Sequence, residues 1–359
     1  MYSPILKGKE GEFAALEDLA ADVKEGIVPL IQIPDVSYDY INERPAKTID
    51  AHAEAIATRL QVAWQDRFYL DATRFEETDA DRLAAVRSFL LPTRTFNAMI
   101  IPVLDRSSSP ELQGLVKAAR SNAPADFCIR LALSDFGDDY DLGEELARLR
   151  AGAAADVDLL IDLGDLGVDD GRSMLLARSV LSAIPTPENW RRVILAAASF
   201  PPDLSAVDAE TASVLPRREW LLWDRLQRRR ERLPALLAER LVFSDYAISN
   251  PVQRELDPRT MRMSASIRYT TNDSWLVLKG RNVRQFGFEQ YFELSGALVG
   301  RAEYFGEAYC WGDEFLALCA RREKGPGNAT TWRKVGTNHH LTVTVRQLAN
   351  YHPVPSSSS

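Results

Sequence analysis

The chain has 359 residues, 46% hydrophobic and 26% charged, the proportions of an ordinary globular protein, which exclude disordered, collagenous and fibrous classes. No apolar run reaches the roughly 18 residues a membrane span needs, and Met1 to Lys9 lacks the basic-then-apolar order of a signal peptide, so a cytoplasmic protein without a membrane partner is expected. The net charge of -8 argues against a surface that coats nucleic acid generally, and Cys128, Cys310 and Cys319 sit in no CxxC spacing, so neither a disulfide framework nor a structural zinc site is expected.

Short β-branched or apolar runs recur at residues 3–7, 28–33, 67–71, 98–104, 126–133, 157–162, 192–198 and 241–247. The first seven are separated by stretches of helical period, as in Glu12, Phe13, Leu16, Leu19 and Val23. Start signals support these helices: Ser109-Pro110-Glu111 sets a capping Ser before a first-turn Pro, and Asp169-Asp170 opens a segment ending near Ala183. Eight repeats of strand then helix predict an α/β protein, a (β/α)8 TIM-like barrel over residues 1–250. A doubly wound open sheet is the competing arrangement, but no GxGxxG follows any strand, and Gly164, Gly167 and Gly171 have the wrong spacing.

After Asn250-Pro251 the rhythm changes. Residues 264–269 and 275–279 flank a polar turn and read as a β-hairpin, residues 286–301 and 312–321 read as helices, and a last helix runs from about Asn338 to Tyr351 with Thr337 as its cap. This C-terminal α+β extension, residues 251–352, is expected to pack on the barrel as a lid, with 353–359 a flexible tail. Residues 259–359 hold 13 basic and 8 acidic side chains against 30 and 43 in residues 1–258, a segment of +5 on a body of -13.

Alternation decides which side chains enter the barrel. Bulky Ile129, Leu131 and Leu133 should face the helices, which turns Arg130 inward, and the same parity turns Asp71, Asp162, Asp105, Ser199 and Asp245 inward. Lys7 closes the first strand and Gln32 nearly closes the second. All lie near carboxyl ends, the face on which barrel enzymes build their sites. One reading is a polar cup in which Lys7, Arg130 and Ser199 hold an anionic substrate while Asp71, Asp162 or Asp245 serve as base, acid or metal ligand. The other is a buried ion network that fills the barrel and needs no substrate.

Three further strings bear on function. Lys7-Gly8-Lys9-Glu10-Gly11-Glu12 is either a phosphate cradle, with Lys9 a second cation, or a solvated turn. His339 and His340 point about 100° apart on a helix and lack an HExxH pattern, so no metal site is expected; His339 as proton donor competes with a capping or packing role. Tyr269, Trp275, Lys279 and Arg281 combine aromatic faces with cations, as where bases stack and phosphates are neutralised, although Trp275 serves equally as a packing anchor. The run Arg225, Arg228, Arg229, Arg230 and Arg232 reads as a solvated helix face.

The opening Tyr2-Ser3-Pro4-Ile5-Leu6-Lys7-Gly8-Lys9-Glu10-Gly11-Glu12, then Pro29-Leu30-Ile31-Gln32-Ile33, Leu70-Asp71, Trp311-Gly312-Asp313 and Gly327-Asn328 through His339-His340 resemble the phage-associated "protein beta" family over nearly the full length. The resemblance implies a setting of phage–host conflict or phage physiology, and that Lys7, Lys9, Glu10, Asp71 and His339-His340 belong to recurrent motifs. Two functions are therefore carried forward. One is an enzyme, with hydrolase or phosphodiesterase-like activity, acting on a nucleotide or nucleic-acid phosphate; the other is a non-catalytic module that holds a partner protein. The residues leave the cofactor open.

Overall fold

A computed structural model describes residues 1–75, 78–90, 99–120, 127–137, 141–151, 156–252 and 263–351. Eight parallel strands follow one another in chain order around a single sheet: Ile5–Leu6, Leu30–Gln32, Phe68–Asp71, Ile100–Leu104, Cys128–Ala132, Val157–Asp165, Trp190–Ala198 and Leu241–Asp245. Tyr2 bridges to Ile27 and to Phe243, and Ser244 Oγ donates to Ser3 O at 2.5 Å, so the first and eighth strands meet and the sheet is a nearly closed barrel. Each strand matches one apolar run of the sequence; Ala98 and Asp126, where two of those runs begin, lie outside the described residues.

Side chains alternate between two cores. Ile5, Leu30, Tyr69, Leu160 and Ile194 fill the barrel, whereas Leu6, Ile31, Leu70, Ile161 and Leu195 pack beneath the helices. Helix starts are set by side-chain caps, Thr48, Thr78, Asp141 and Asp169 each accepting a first-turn N–H, and Ser109 Oγ accepts from Leu112 N at 3.3 Å. Among the described residues no helix is long and apolar enough to cross a membrane.

The C-terminal segment differs from expectation in two ways. First, its hairpin, Ser264–Thr270 with Ser274–Asn282, gains a third strand, Thr211–Pro216, contributed by the connection after the seventh barrel strand. Second, the last helix is Ala329–Ala349 and starts at Asn328, whose Oδ1 accepts from Thr331 N at 3.1 Å, while the expected cap Thr337 is buried in its middle. Gly336-Thr337 looked like a break because glycine and threonine are poor helix formers; tertiary packing overrides that preference.

The position of this helix explains the packing. It lies outside the first and eighth strands, between two barrel helices. On one side Asn338 Nδ2 donates to the carbonyls of Ala15 and Asp18, both at 3.2 Å, at the end of the helix Glu10–Glu17. On the other, Tyr351 OH donates to Asp224 Oδ1, at 2.8 Å, on the helix Arg218–Gln227. The strand-then-helix repeat calls for its eighth helix there, so residues 251–328 separate the eighth strand from the helix that covers it.

Close approach at this seam depends on glycine. A Cβ on Gly11 would stand 2.8 Å from Thr330 O, and one on Gly336 would stand 2.9 Å from Ile248 Cδ1 and 3.1 Å from Arg268 O. Gly11→Ala and Gly336→Ala are each expected to destabilise the protein by about 1–3 kcal/mol. Gly114→Ala, with open space at its helical position, should stabilise by about 0.5–1 kcal/mol through helix preference alone. Urea midpoints of the three variants check this; a Gly11→Ala midpoint equal to wild type would refute the tight docking.

Candidate functional site at the barrel mouth

Parity carries Arg130, Asp71 and Asp162 into the barrel at its carboxyl end, and all three are buried. Arg130 Nη1 pairs with Asp71 Oδ2, and Arg130 Nη2 reaches Asp162 Oδ2 at 2.6 Å and Tyr246 OH at 2.7 Å. Tyr246 in turn donates to Asp162 Oδ2 at 2.8 Å, and Arg74 Nη2 reaches the same oxygen at 3.2 Å. The remaining oxygens are also occupied: Asp71 Oδ1 accepts from Thr73 N at 2.8 Å and Thr73 Oγ1 at 2.6 Å, and Asp162 Oδ1 from Gly164 N at 2.9 Å. Burial opposes a charge on Asp162, but Arg130 beside it, with hydrogen bonds from Arg130, Tyr246 and Gly164, holds its carboxyl below the usual carboxylate range. Burial, reinforced by the charge of Asp162, pushes the Tyr246 phenol well above its ordinary range, so it remains a proton donor.

Two adjoining cavities open above this network, of about 740 and 500 Å³, sharing Arg74, Ala132 and Ser134 in their walls. Arg130 and Asp105 border the first; Gln32, Asp162 and Tyr246 border the second. The strand register that pairs Leu6 with Ile31 and Gln32 with Asp71 brings Lys7 to the same end. Lys7 is buried, and its one hydrogen-bond partner among the described residues is Val252 O, at a long 3.5 Å. Burial, with Lys9 and Arg333 nearby, pulls its ammonium down to about 8.

Other expected members of the cup lie elsewhere. In the eighth strand Val242 and Tyr246 face inward, so Asp245 faces out, where its carboxylate meets Tyr2 OH at 2.5 Å and His340 Nε2 at 2.9 Å. In the seventh, Ala196 and Ala198 face inward, and Ser199 turns out to pair with Glu219. His339 lies apart from the barrel mouth, its Nδ1 2.8 Å from Asp313 Oδ2. Tyr269 is buried and donates to Asp313 Oδ1 at 2.8 Å, so its face is closed to a base. Lys279 Nζ is taken up by the carbonyls of Leu204, at 2.7 Å, and Val207, and Arg281 lies over the Phe286 ring at 3.9 Å. Of the segment expected as a lid, Pro251 and Val252 border the second cavity, and no described residue of 263–351 borders either.

The first loop is likewise occupied by the protein itself. Gly8 has φ +61 and a Cβ there would stand 2.6 Å from Gln32 O, so it makes a tight turn, while Gly11 admits the last helix. Lys9 precedes the helix Glu10–Glu17, its N–H donating to Glu12 Oε2 at 3.1 Å. Asp105 accepts from Ser107 and Ser108 within its own turn. Sequence reading missed Tyr246 and Arg74; the alternation Val242, Ser244, Tyr246 signals the first, and the position of Arg74 just after the third strand signals the second. Among the described residues, the side chains that converge closely enough to hold a metal ion are Cys310, Asp313 and His339, outside the cup.

Fold and site together define a parallel α/β-barrel protein with a charged network at the carboxyl mouth. The chain belongs to the Beta protein family, which it matches over residues 2–346. No curated protein and no solved structure matches it.

Removing one member of the buried network leaves an uncompensated charge. Arg130→Met is expected to cost about 3–5 kcal/mol near neutral pH, because Asp71 loses its cation and Asp162 keeps only the half-exposed Arg74. The sign with pH follows: in wild type the lowered Asp162 contributes stability above its unfolded value and loses it as pH falls through the folded value. In the variant Asp162, without Arg130 beside it, takes up a proton more readily, so the gap to wild type should narrow as pH falls toward about 5. Urea titrations at the two pH values measure this, and a gap constant with pH would contradict it.

Proposed function

We propose that the protein is an enzyme of phage–host conflict that acts on a small phosphate-bearing molecule, of the nucleotide class, at the mouth of a TIM-type (β/α)8 barrel. The phage setting rests on the family motifs. The observation that carries the ligand class is a group of under-used donors: in the wall of the second cavity the Gln32 amide has no hydrogen bond among the described residues and Arg74 is half-exposed, and Lys7, buried at the same end behind the lining residues, has one long contact. Donors left without acceptors in a walled site favour an anion. The rim argues for a small ligand over nucleic acid. Arg106 and Arg148 are paired with Asp135 and Glu145, and Asp105, Asp141 and Glu144 add further negative charge, which repels a phosphate backbone.

In this reading Lys7, Gln32 and Arg74 bind the phosphate, with Arg74 leaving Asp162 to do so. Asp162, ionised and bordering the cavity, is the candidate base for a hydrolytic step, and Tyr246 the donor beside it. Asp71 acts as a positioning residue for Arg130. The second reading, a non-catalytic module, is favoured by one observation: the Arg130 network is satisfied without a ligand.

Calorimetric titration with inorganic phosphate and AMP tests the anion site. Lys7→Met and Arg74→Gln should each weaken binding by about tenfold or more, consistent with losing a charge-assisted hydrogen bond of roughly 1.5–3 kcal/mol. No binding by the wild type would overturn the proposal. Because Lys7 carries its proton below about 8, affinity should fall as pH rises through and beyond that value, and Lys7→Met should lose this dependence. Hydrolysis abolished by Asp162→Asn with binding retained supports the enzyme; binding without turnover in the wild type supports the module.

A further inference from the structure

The two adjacent histidines of the last helix have separate surroundings. His340 faces the barrel, and His339 faces the helix Trp311–Ala320. There Cys310 precedes the first turn and Asp313 follows three residues later, a spacing that sets both on one side of the helix start. Asp313 Oδ2 lies 2.9 Å from Cys310 Sγ and 2.8 Å from His339 Nδ1, and Sγ lies 4.0 Å from Nδ1.

The hydrogen-bond bookkeeping of His339 narrows what these atoms do. Its Nε2 is 2.8 Å from the carbonyl of Thr270, which can only accept, so Nε2 carries a proton. Nδ1 then presents either a second proton, making a fully buried imidazolium, or a lone pair aimed at the same point as a thiol and a carboxylate. The surroundings have the form of an outer shell around a metal centre: the carbonyl fixes the imidazole tautomer, Tyr269 OH holds Asp313 Oδ1 at 2.8 Å, and its ring stacks on His339 at 3.9 Å. A cavity of about 200 Å³ borders Cys310 and leaves room for a water. The nearby cation Arg346 is directed to Tyr309, its Nη1 3.1 Å from the carbonyl and its guanidinium 4.4 Å from the ring centre.

We propose that Cys310, Asp313 and His339 bind a divalent transition-metal ion of the zinc class, with water as fourth ligand. A thiolate, a carboxylate and a neutral imidazole together cancel the charge of such an ion, as a buried site requires, and sulfur, nitrogen and oxygen donors suit zinc. Tetrahedral zinc needs ligand atoms about 3.3–3.6 Å apart, so shifts of about half an ångström complete the geometry. Binding forms the metal–sulfur, metal–nitrogen and metal–oxygen bonds and releases to solvent the thiol proton and the proton held between His339 and Asp313. The ion joins the helix Trp311–Ala320 to the helix Ala329–Ala349, and so ties the interrupting segment to the barrel. The sequence conceals this set because its members are three and 26 residues apart and Cys310 has no cysteine partner.

The test uses the full-length protein, stripped with a chelator and titrated with Co(II) and then Zn(II). Stoichiometric cobalt uptake with a thiolate-to-cobalt charge-transfer band, displaced by zinc, is the expected result. Cys310→Ser should abolish the band and weaken zinc binding by at least about tenfold. Serine is itself a good cap at this helix start, so circular dichroism should show the fold retained. Asp313→Asn, which keeps a side chain of the same size, should weaken zinc binding as well. Folded wild type that takes up no stoichiometric metal, cobalt bound without the thiolate band, or zinc affinity unchanged in Cys310→Ser would each overturn the site and leave a buried hydrogen-bonded pair of His339 and Asp313.

Discussion

A helix buried on two opposite sides has no solvent face on which to leave a polar group, and the helix Ala329–Ala349 is under this constraint through its middle. Thr337, Asn338, His339, His340, Thr342 and Thr344 are all buried along it. Apart from the Thr337 hydroxyl, which has no hydrogen-bond partner among the described residues, these polar groups take partners from whichever layer they meet. His340 meets the barrel: Nε2 donates to Asp245 at 2.9 Å and Nδ1 accepts from Thr270 Oγ1 at 3.0 Å, an arrangement that suits a neutral ring. Burial pulls the His340 pKa down and favours that state. Asp245, also bonded by Tyr2, sits on the strand that closes the sheet, so one imidazole links first strand, eighth strand, hairpin and last helix.

Inside the barrel the same rule produces a layered interior. At the amino end Asp158 accepts from Tyr69 OH and pairs with Arg191, both at 2.6 Å; at the carboxyl end Arg130 holds Asp71 and Asp162. Apolar Ile101, Leu160 and Ile194 lie between. A buried ion network adds little stability over an apolar filling, but it fixes the directions of its members. Arg130 thereby sets the positions of Asp162 and Tyr246 along one wall of the second cavity. Lys7, with one long contact, and the Gln32 amide, with none among the described residues, lie at the same end outside that network.

The barrel was legible in the sequence because eight apolar runs, regularly separated by helical stretches, fit few architectures besides a closed parallel sheet. Strand parity was legible where a strand is bulky on its outer face, as with Ile129 and Leu131 around Arg130. It failed at Asp245 and Ser199, because these outward positions meet polar partners, His340 and Glu219, supplied by segments distant in sequence. A polar side chain at a strand end signals burial against polarity and does not say on which side. Tyr246 was passed over for the converse reason, as a bulky ring entering the barrel. The strand Thr211–Pro216 has an exposed-and-half-buried alternation too weak to separate from a loop without its partner Ser274–Asn282.

The uneven charge along the chain has partners that can be named. The positive C-terminal segment invites a reading as a basic lid, yet two of its cations act on backbone carbonyls at the seams of the protein and others pair with carboxylates, as Arg321 does with Glu307 and Lys334 with Asp18. Arg268 donates to Ile248 O at 2.8 Å, and Lys279 binds the carbonyls of the loop after the seventh strand. Across the same seam Arg217 reaches Thr271 O at 3.1 Å and Gln347 Oε1 at 2.8 Å. A segment inserted between a barrel strand and its helix exposes loop carbonyls on both partners that no strand or helix ladder can satisfy. Long cationic side chains bridge such gaps, burying their stems as apolar contact while the charged head meets several acceptors. Arg268, Lys279 and Arg217 are accordingly accounted for by how the segment is joined, while Arg74 and Arg130 border the cavities at the barrel mouth.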